Sequence, residues 1–128
     1  MAEHGELRLS PVYYNSTIYF AALYDKQNVG VWEAWANLDS AHYQAESDKQ
    51  AKAGRILSYL DACSVNGSPL FSAAWDSSRH SGYNSRYNID AVTYHSEYLK
   101  MLSQRFVPKI VIGYQNGDKS NYAALCSQ

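Results

Sequence analysis

The sequence predicts an α+β fold, on three observations. Aromatic and β-branched residues are concentrated at 12–38, apolar residues recur at helical spacing in 40–63 and 90–106, and KIVIGY at 109–114 has the composition of a strand. The expected architecture is a small antiparallel or mixed sheet, built from an N-terminal hairpin and the 109–114 strand and covered by the two helices. A mainly α fold is the alternative if the hairpin is wrong.

Length and composition set the organisation. The chain has 128 residues, of which 46% are apolar and 18% charged, as in one folded domain rather than a disordered chain. We expect a flexible lead-in at 1–10 and a single globular domain at 11–128, without an internal repeat. The first ten residues have no apolar segment typical of a signal peptide, and no apolar run is long enough to span a membrane. These features predict a cytoplasmic protein.

The predicted hairpin comprises strands at 17–24 and 31–38. Both segments are rich in aromatic residues, and the intervening DKQNVG at 25–30 contains the Asn and Gly that a tight turn needs. Alanine is frequent in both segments, which leaves a helical alternative open.

The first helix is predicted to begin after Asp39 or Ser40, either of which can cap it, and to run to about residue 63. Gly54 lies inside this helix, where glycine costs stability relative to alanine. The apolar LFSAAW at 70–75 indicates a short strand or a buried turn.

The second helix is predicted at 90–106, with Asn88 or Asp90 as its cap. Three successive aliphatic residues in 109–114 favour a central strand buried on both faces. The last apolar segment, 121–126, is predicted to be an antiparallel edge strand or a terminal turn.

The segment SSRHSGYNSRYNID at 77–90 is predicted to be a long polar loop. Tyrosine, arginine, serine, glycine and asparagine are the residues that binding loops use, because tyrosine offers rigid contact area and arginine offers charge and planar stacking. The loop is either a binding site or only a polar cover over the core. The predicted binding residues are Trp75, Arg79, His80, Tyr83, Arg86 and Tyr87.

Other kinds of site have weaker support. No two histidines are three or four residues apart and no paired-cysteine motif occurs, so no metal or other cofactor is expected. The chain lacks the G-x-S-x-G motif of a serine nucleophile. The first alternative function is nevertheless a small hydrolase or transferase that uses His80 and Asp76 as acid and base. A net charge of −1 argues against a dedicated duplex binder. A single-stranded nucleic-acid binder with a tyrosine stacking face is the second alternative.

The leading hypothesis is a small non-enzymatic interaction protein. It would bind a protein partner, or a second copy of itself, through a Tyr/Arg-rich surface, since twelve tyrosines suit half-buried contact faces. Nucleic acid is not the favoured partner, and a membrane is not expected. Small single domains of this general type are common among phage and mobile-element proteins.

Overall fold

Most of the chain is β-strand. The computed structural model describes the backbone of residues 6–14, 17–25, 31–78 and 83–128, and side chains from residue 31 onward within those ranges. The elements are, in chain order, β1 Glu6–Tyr14, β2 Thr17–Asp25, β3 Trp32–Leu38, α1 Ser40–Lys52, β4 Ile56–Val65, β5 Ser68–Asp76, β6 Tyr83–Ile89, α2 Ala91–Ser103, β7 Val107–Asn116 and β8 Lys119–Ser127.

Two three-stranded antiparallel sheets organise the chain from β3 onward. The first has the strand order β3-β5-β4 and the second β6-β8-β7, whereas β1 and β2 form a separate antiparallel hairpin. Each three-stranded sheet carries one short helix. The prediction of an α+β fold, with one small sheet covered by two main helices, is therefore wrong, and so is the mainly α alternative.

The two sheets belong to two units of identical design. Every strand and helix from β6 to β8 begins and ends 51 residues after its counterpart in β3 to β5. Strand register is conserved as well: Leu38 pairs with Phe71 in the first unit. At the same position of the second unit, Ile89 pairs with Tyr122. We call residues 32–76 the first repeat and residues 83–127 the second repeat, so the expectation that the chain has no internal repeat is wrong.

Helix α1 is much shorter than predicted. Asp39 caps it, accepting a hydrogen bond from the backbone N–H of His42 at 2.8 Å, but the helix ends at Lys52. Gly54 follows with φ of 77°, the left-handed conformation that glycine adopts just beyond a helix C-terminus. The second half of the predicted helix, with Ile56, is strand β4. Gly54 is therefore a helix terminator rather than a tolerated interior residue.

The predicted N-terminal hairpin has the right strands but the wrong pairing. Strand β2 pairs with β1, whose residues 6–10 belong to the expected lead-in, and β3 pairs with β5. Residues 26–30 of the predicted turn lie outside the described residues. Pairing between strands that are distant in sequence overrides the local turn signal, since packing rather than turn propensity decides it.

The C-terminal half follows the same correction. Asp90 caps α2, as one of the two predicted candidates, and the predicted strand at 109–114 lies within β7. However, β7 is an edge strand, and the central strand is β8, which includes 121–126. The polar segment predicted as a loop contains β6, an edge strand that needs no aliphatic run.

The second sheet packs on the first. The buried cluster joins the two sheets. From the first sheet it includes residues on the face that also contacts α1, and from the second sheet it includes residues on the face that points away from α2. Its members are Tyr43, Leu57, Leu60, Phe71, Ala73, Trp75, Tyr114, Ala123 and Leu125. Neighbouring residues of a strand point to opposite sides of a sheet. In each sheet we call the side that contacts the helix the helix-bearing face and the other side the helix-free face. The helix-free face of the second repeat thus covers the helix-bearing face of the first.

Candidate functional site

The structure disperses the predicted binding residues. Trp75 is 0% exposed, in the middle of the core. Tyr83, Arg86 and Tyr87 lie on strand β6, whereas Arg79 and His80 lie outside the described residues. The described members therefore lie on strands of two different sheets rather than in one loop.

The two tyrosines of β6 are directed to the first repeat. Tyr87 makes edge-to-face ring contacts with Tyr43 at 5.0 Å and Phe71 at 5.6 Å between centroids. Its hydroxyl also donates to Gln44 Oε1 at 2.8 Å. Tyr83 packs against the same core cluster. These side chains contribute aromatic contact area, and in this structure the surface that they contact belongs to the same chain.

Arg86 points to the other side of β6. Its Nε lies 3.6 Å from Glu97 Oε2 on α2, and Nη1 donates to the backbone oxygen of Ser85 at 2.9 Å. The arginine side chain is 41% exposed, so it retains donors that face solvent. Among the predicted residues that the structure describes, Arg86 is the one with a charged group that a partner could reach.

Asp76 has a local structural role at the end of β5. It is 1% exposed and accepts a hydrogen bond from the backbone N–H of Ser78 at 2.9 Å. The Ser78 hydroxyl donates to the same carboxylate oxygen. An aspartate that bonds the backbone two residues further on stabilises a turn, and that function already occupies this oxygen.

A small cleft lies between α2 and the second sheet. Its cavity volume is about 20 Å³, enough for one water molecule and far below the several hundred cubic ångströms of usual ligand pockets. Cys126 lines it, at the position where the first repeat has the buried indole of Trp75. The smaller side chain explains why the cleft exists in the second repeat.

The corresponding space in the first repeat holds a polar network that the sequence did not indicate. Gln50 is 0% exposed, and its amide nitrogen donates to Glu46 Oε1 at 2.7 Å and also to Glu33. Arg55 Nη1 donates to Gln50 Oε1 at 2.7 Å and lies 3.5 Å from Glu33 Oε1. The hydrogen bond from Gln50 is the main cause that lowers the pKa of Glu33. The arrangement satisfies a buried amide and two carboxylates, which stabilises the packing of α1 on its sheet.

The helix-bearing face of the second repeat is uncovered within the described residues. Leu60 of β4 is 0% exposed under the second repeat, whereas Val111 at the same position of β7 is 44% exposed. Tyr94 of α2 stacks on Tyr98 with ring centroids 6.3 Å apart, and it contacts the tilted ring of Tyr122 at 5.9 Å. We call these four residues of the second repeat, Tyr94, Tyr98, Val111 and Tyr122, the open face. In the first repeat, the equivalent rings are those of Tyr43 and Phe71, and the second sheet covers both.

Further chemistry is limited in the described part of the chain. It contains no cluster of three or more potential metal ligands, and none of its helices is long and apolar enough to cross a membrane. Cys63 and Cys126 are free thiols, and burial raises the pKa of both. A raised thiol pKa disfavours the nucleophilic thiolate.

Geometry defines the chain as a tandem βαββ repeat protein, and comparison with known families gives the family. Residues 30–78 and 80–126 each match the family described as polyglycine hydrolase-like, structural repeat. The matches cover most of the chain, and each corresponds to one of the two repeats. The chain therefore belongs to this family. Comparison with curated proteins and with solved structures finds no match.

Proposed function

We propose that this protein is a non-enzymatic interaction module that holds a protein partner on the open face of its second repeat. The observation that carries the proposal is the contrast between Leu60, which is 0% exposed, and Val111, which is 44% exposed at the equivalent position. The first repeat shows how such a face is covered, namely by tyrosine rings and aliphatic side chains of another sheet. An exposed apolar and aromatic surface of this kind is typical of a protein contact.

A non-catalytic role is supported by three features. The cleft beside α2 has room for about one water molecule. Asp76, the proposed acid or base, is 1% exposed and engaged by Ser78. The family is described as a structural repeat, which suits a module that supports or recruits another protein. The same description calls the family polyglycine hydrolase-like, and this is the one observation on the side of the hydrolase alternative.

The partner is expected to present an apolar surface with tyrosines. Tyr87 and Tyr114 cover Phe71 in the first repeat, at ring-centroid distances of 5.6 and 5.4 Å. An equivalent pair of rings from the partner would contact Tyr122 of the open face. Arg86 lies at the edge of this surface, where its exposed guanidinium would add a charged contact. Arg79 and His80, which lie outside the described residues, remain predicted binding residues, and cytoplasmic location remains part of the proposal.

Site-specific photo-cross-linking tests the proposal. We would replace Val111 with benzoylphenylalanine in the full chain, irradiate it in lysate of the source cells, and repeat the experiment after nuclease treatment. The matched control carries the same residue at Val92, which is 80% exposed and lies outside the open face. We expect a discrete protein adduct from position 111, insensitive to nuclease and absent from position 92.

A second substitution tests whether the adduct forms at the open face. Adding Arg86→Ala to the Val111 cross-linker should weaken the adduct, whereas adding Lys52→Ala on α1 should leave it unchanged. Equal adducts from positions 111 and 92, or none from either, would overturn the proposal. Loss of the adduct on nuclease treatment would favour nucleic-acid binding instead.

A further inference from the structure

The hairpin β1–β2 follows the repeat phase although it lies outside the two matched segments. Strand β2, Thr17–Asp25, is 51 residues before β5, Ser68–Asp76, with identical length. The register also agrees, because Tyr14 pairs with Thr17 and Val65 pairs with Ser68, and the agreement continues residue by residue until the bulge in β4. The hairpin thus has the geometry of the last two strands of a repeat.

The amino-acid sequence supports the same assignment. FAAL at 20–23, FSAA at 71–74 and YAAL at 122–125 stand 51 residues apart. Each begins with an aromatic residue followed by small residues. Small residues in the middle of a strand permit close packing of another element against the sheet. The three segments therefore carry a common pattern at the repeat spacing.

The tertiary contacts independently support the assignment of the hairpin as the last two strands of a repeat. Strand β1 contacts β3, β4 and β5 of the first repeat. Strand β4, its counterpart 51 residues later, contacts β6, β7 and β8 of the second repeat. The hairpin therefore sits against the first repeat as the first repeat's own hairpin sits against the second.

One edge of this hairpin differs from its counterparts. In the repeats, β5 and β8 are central strands, flanked on one side by β3 or β6. Within the described residues, β2 pairs only with β1. Its other edge presents the backbone donors and acceptors that β5 uses to hold β3, and such an edge is a template for an added strand.

We propose that the free edge of β2 binds a strand–helix half-repeat of this same family. The occupant is defined by what β3–α1 and β6–α2 share: an aromatic residue at the strand start, Asn with positive φ, an aliphatic residue, and Asp as helix N-cap. These residues are Trp32 and Tyr83, Asn37 and Asn88, Leu38 and Ile89, and Asp39 and Asp90. The register of β3 on β5 predicts that the guest aromatic residue lies opposite Asp25 and the guest aliphatic residue opposite Phe20. This site is distinct from the open face.

Hydrogen exchange on the full chain tests this proposal with a defined probe. The probe is a synthetic peptide that copies residues 31–54, and the control peptide carries proline at the positions of Ala34 and Ala36, which removes strand donors. We expect saturable binding of the first peptide, and we expect it to slow the exchange of alternate amides in β2 by about tenfold or more. The control peptide should have no effect.

A covalent version avoids dependence on peptide solubility. A copy of residues 31–55 joined directly ahead of Gly5 places the half-repeat in phase with the hairpin. We expect this fusion to protect β2 and raise the Tm, whereas the fusion with the two prolines should leave both at the values of the full chain. Absence of protection in both formats would overturn the proposal, as would protection confined to β7 or the open face. Failure of the Val111 cross-link would leave this result untouched, since the two sites share no residue.

Discussion

Asn37 and Asn88 hold the same left-handed backbone conformation, with φ of 59° and 54°, at equivalent positions two residues before the helix N-caps. In both repeats the strand register shifts at this point. Asparagine accepts positive φ more readily than other side chains. The two residues differ in their contacts, because only Asn88 is recruited to the contact between repeats. It donates to Ser40 Oγ at 2.9 Å, and its Oδ1 accepts from the Tyr114 hydroxyl at 2.8 Å.

Alanine at these two positions should therefore have unequal effects. Asn37→Ala should cost about 1 kcal/mol of unfolding free energy, the penalty of positive φ for a residue with an ordinary side chain. Asn88→Ala should cost about 2–4 kcal/mol, because it also removes the amide oxygen that accepts from the Tyr114 hydroxyl and the amide that donates to Ser40, whereas the backbone N–H of residue 88 still donates to that hydroxyl. Urea denaturation of both variants measures the difference.

Glycine separates the two contributions. Asn37→Gly should retain nearly all of the stability, whereas Asn88→Gly should still lose the hydrogen-bond part. Equal losses for the two alanine variants would show that Asn88 does not connect the repeats.

The pair Trp75 and Cys126 gives a second comparison. They occupy the same position of β5 and β8, with 0% and 6% exposure, but only the indole fills the space beneath the helix. Trp75→Ala should cost about 3–5 kcal/mol, as large-to-small changes of buried aromatic residues do. Cys126→Ala should cost about 1 kcal/mol, because it removes one atom beside an existing cleft. Thermal and urea denaturation should rank the variants in this order, and a Cys126→Ala loss as large as that of Trp75→Ala would contradict the account.

Local signals in the sequence predicted several elements correctly. Both helix starts, with Asp39 and Asp90 as caps, and the strand at 109–114 follow from capping chemistry and aliphatic composition. The end of α1 before Gly54 is also readable from local signals. Glycine at a helix end and the Ile56-Leu57 pair that follows it were sufficient to end α1 and begin a strand.

Pairing and repetition were harder to predict, for physical reasons. The choice of β5 rather than β2 as the partner of β3 depends on packing between sheets, which no local pattern records. Strand β6 is a polar edge strand, so its composition resembles that of a loop. In the sequence the repeat is visible as Asn-Leu-Asp at 37–39 and Asn-Ile-Asp at 88–90, and as FSAA at 71–74 and YAAL at 122–125, but most of the side chains around these segments differ between units. The open face could not be found without knowing which sheet covers which.

The network around Gln50 predicts a linked change of stability and pH dependence. Gln50→Met introduces the residue that the second repeat has at the equivalent position, Met101, so the helix can accommodate it. It removes the donor to Glu33 and Glu46 and should cost about 1–3 kcal/mol at neutral pH. The lowered pKa of Glu33 contributes stability above its ordinary value of 4.5, which is lost as the pH falls through the folded-state pKa. The variant should therefore lose less on acidification than the wild type.

Urea denaturation at pH 7 and at about pH 3 measures this difference. Ala51→Met, at the adjacent exposed position of α1, is the control and should follow the wild type at both pH values. If Gln50→Met and the wild type lose the same stability on acidification, Gln50 is not what holds the Glu33 carboxylate in its charged form.

The tyrosines of the core predict alkaline sensitivity. Burial raises the pKa of Tyr114 to about 12 and raises the pKa of Tyr43 as well. A group whose pKa is raised on folding contributes stability below its ordinary pKa of 10, which is lost as the pH rises toward the folded-state value. The part of the stability that these two tyrosines contribute should thus be present up to about pH 10 and begin to be lost between about pH 10 and 12. Tyr114→Phe should be about 1–2 kcal/mol less stable at neutral pH, because the backbone N–H and the Oδ1 of Asn88 both lose the Tyr114 hydroxyl as partner. It should also show a shallower alkaline fall, with Tyr43 responsible for part of what remains.

Urea denaturation across this range, with tyrosinate absorbance recorded in parallel, measures both effects. Parallel curves for the two proteins would exclude Tyr114 as a source of the alkaline loss.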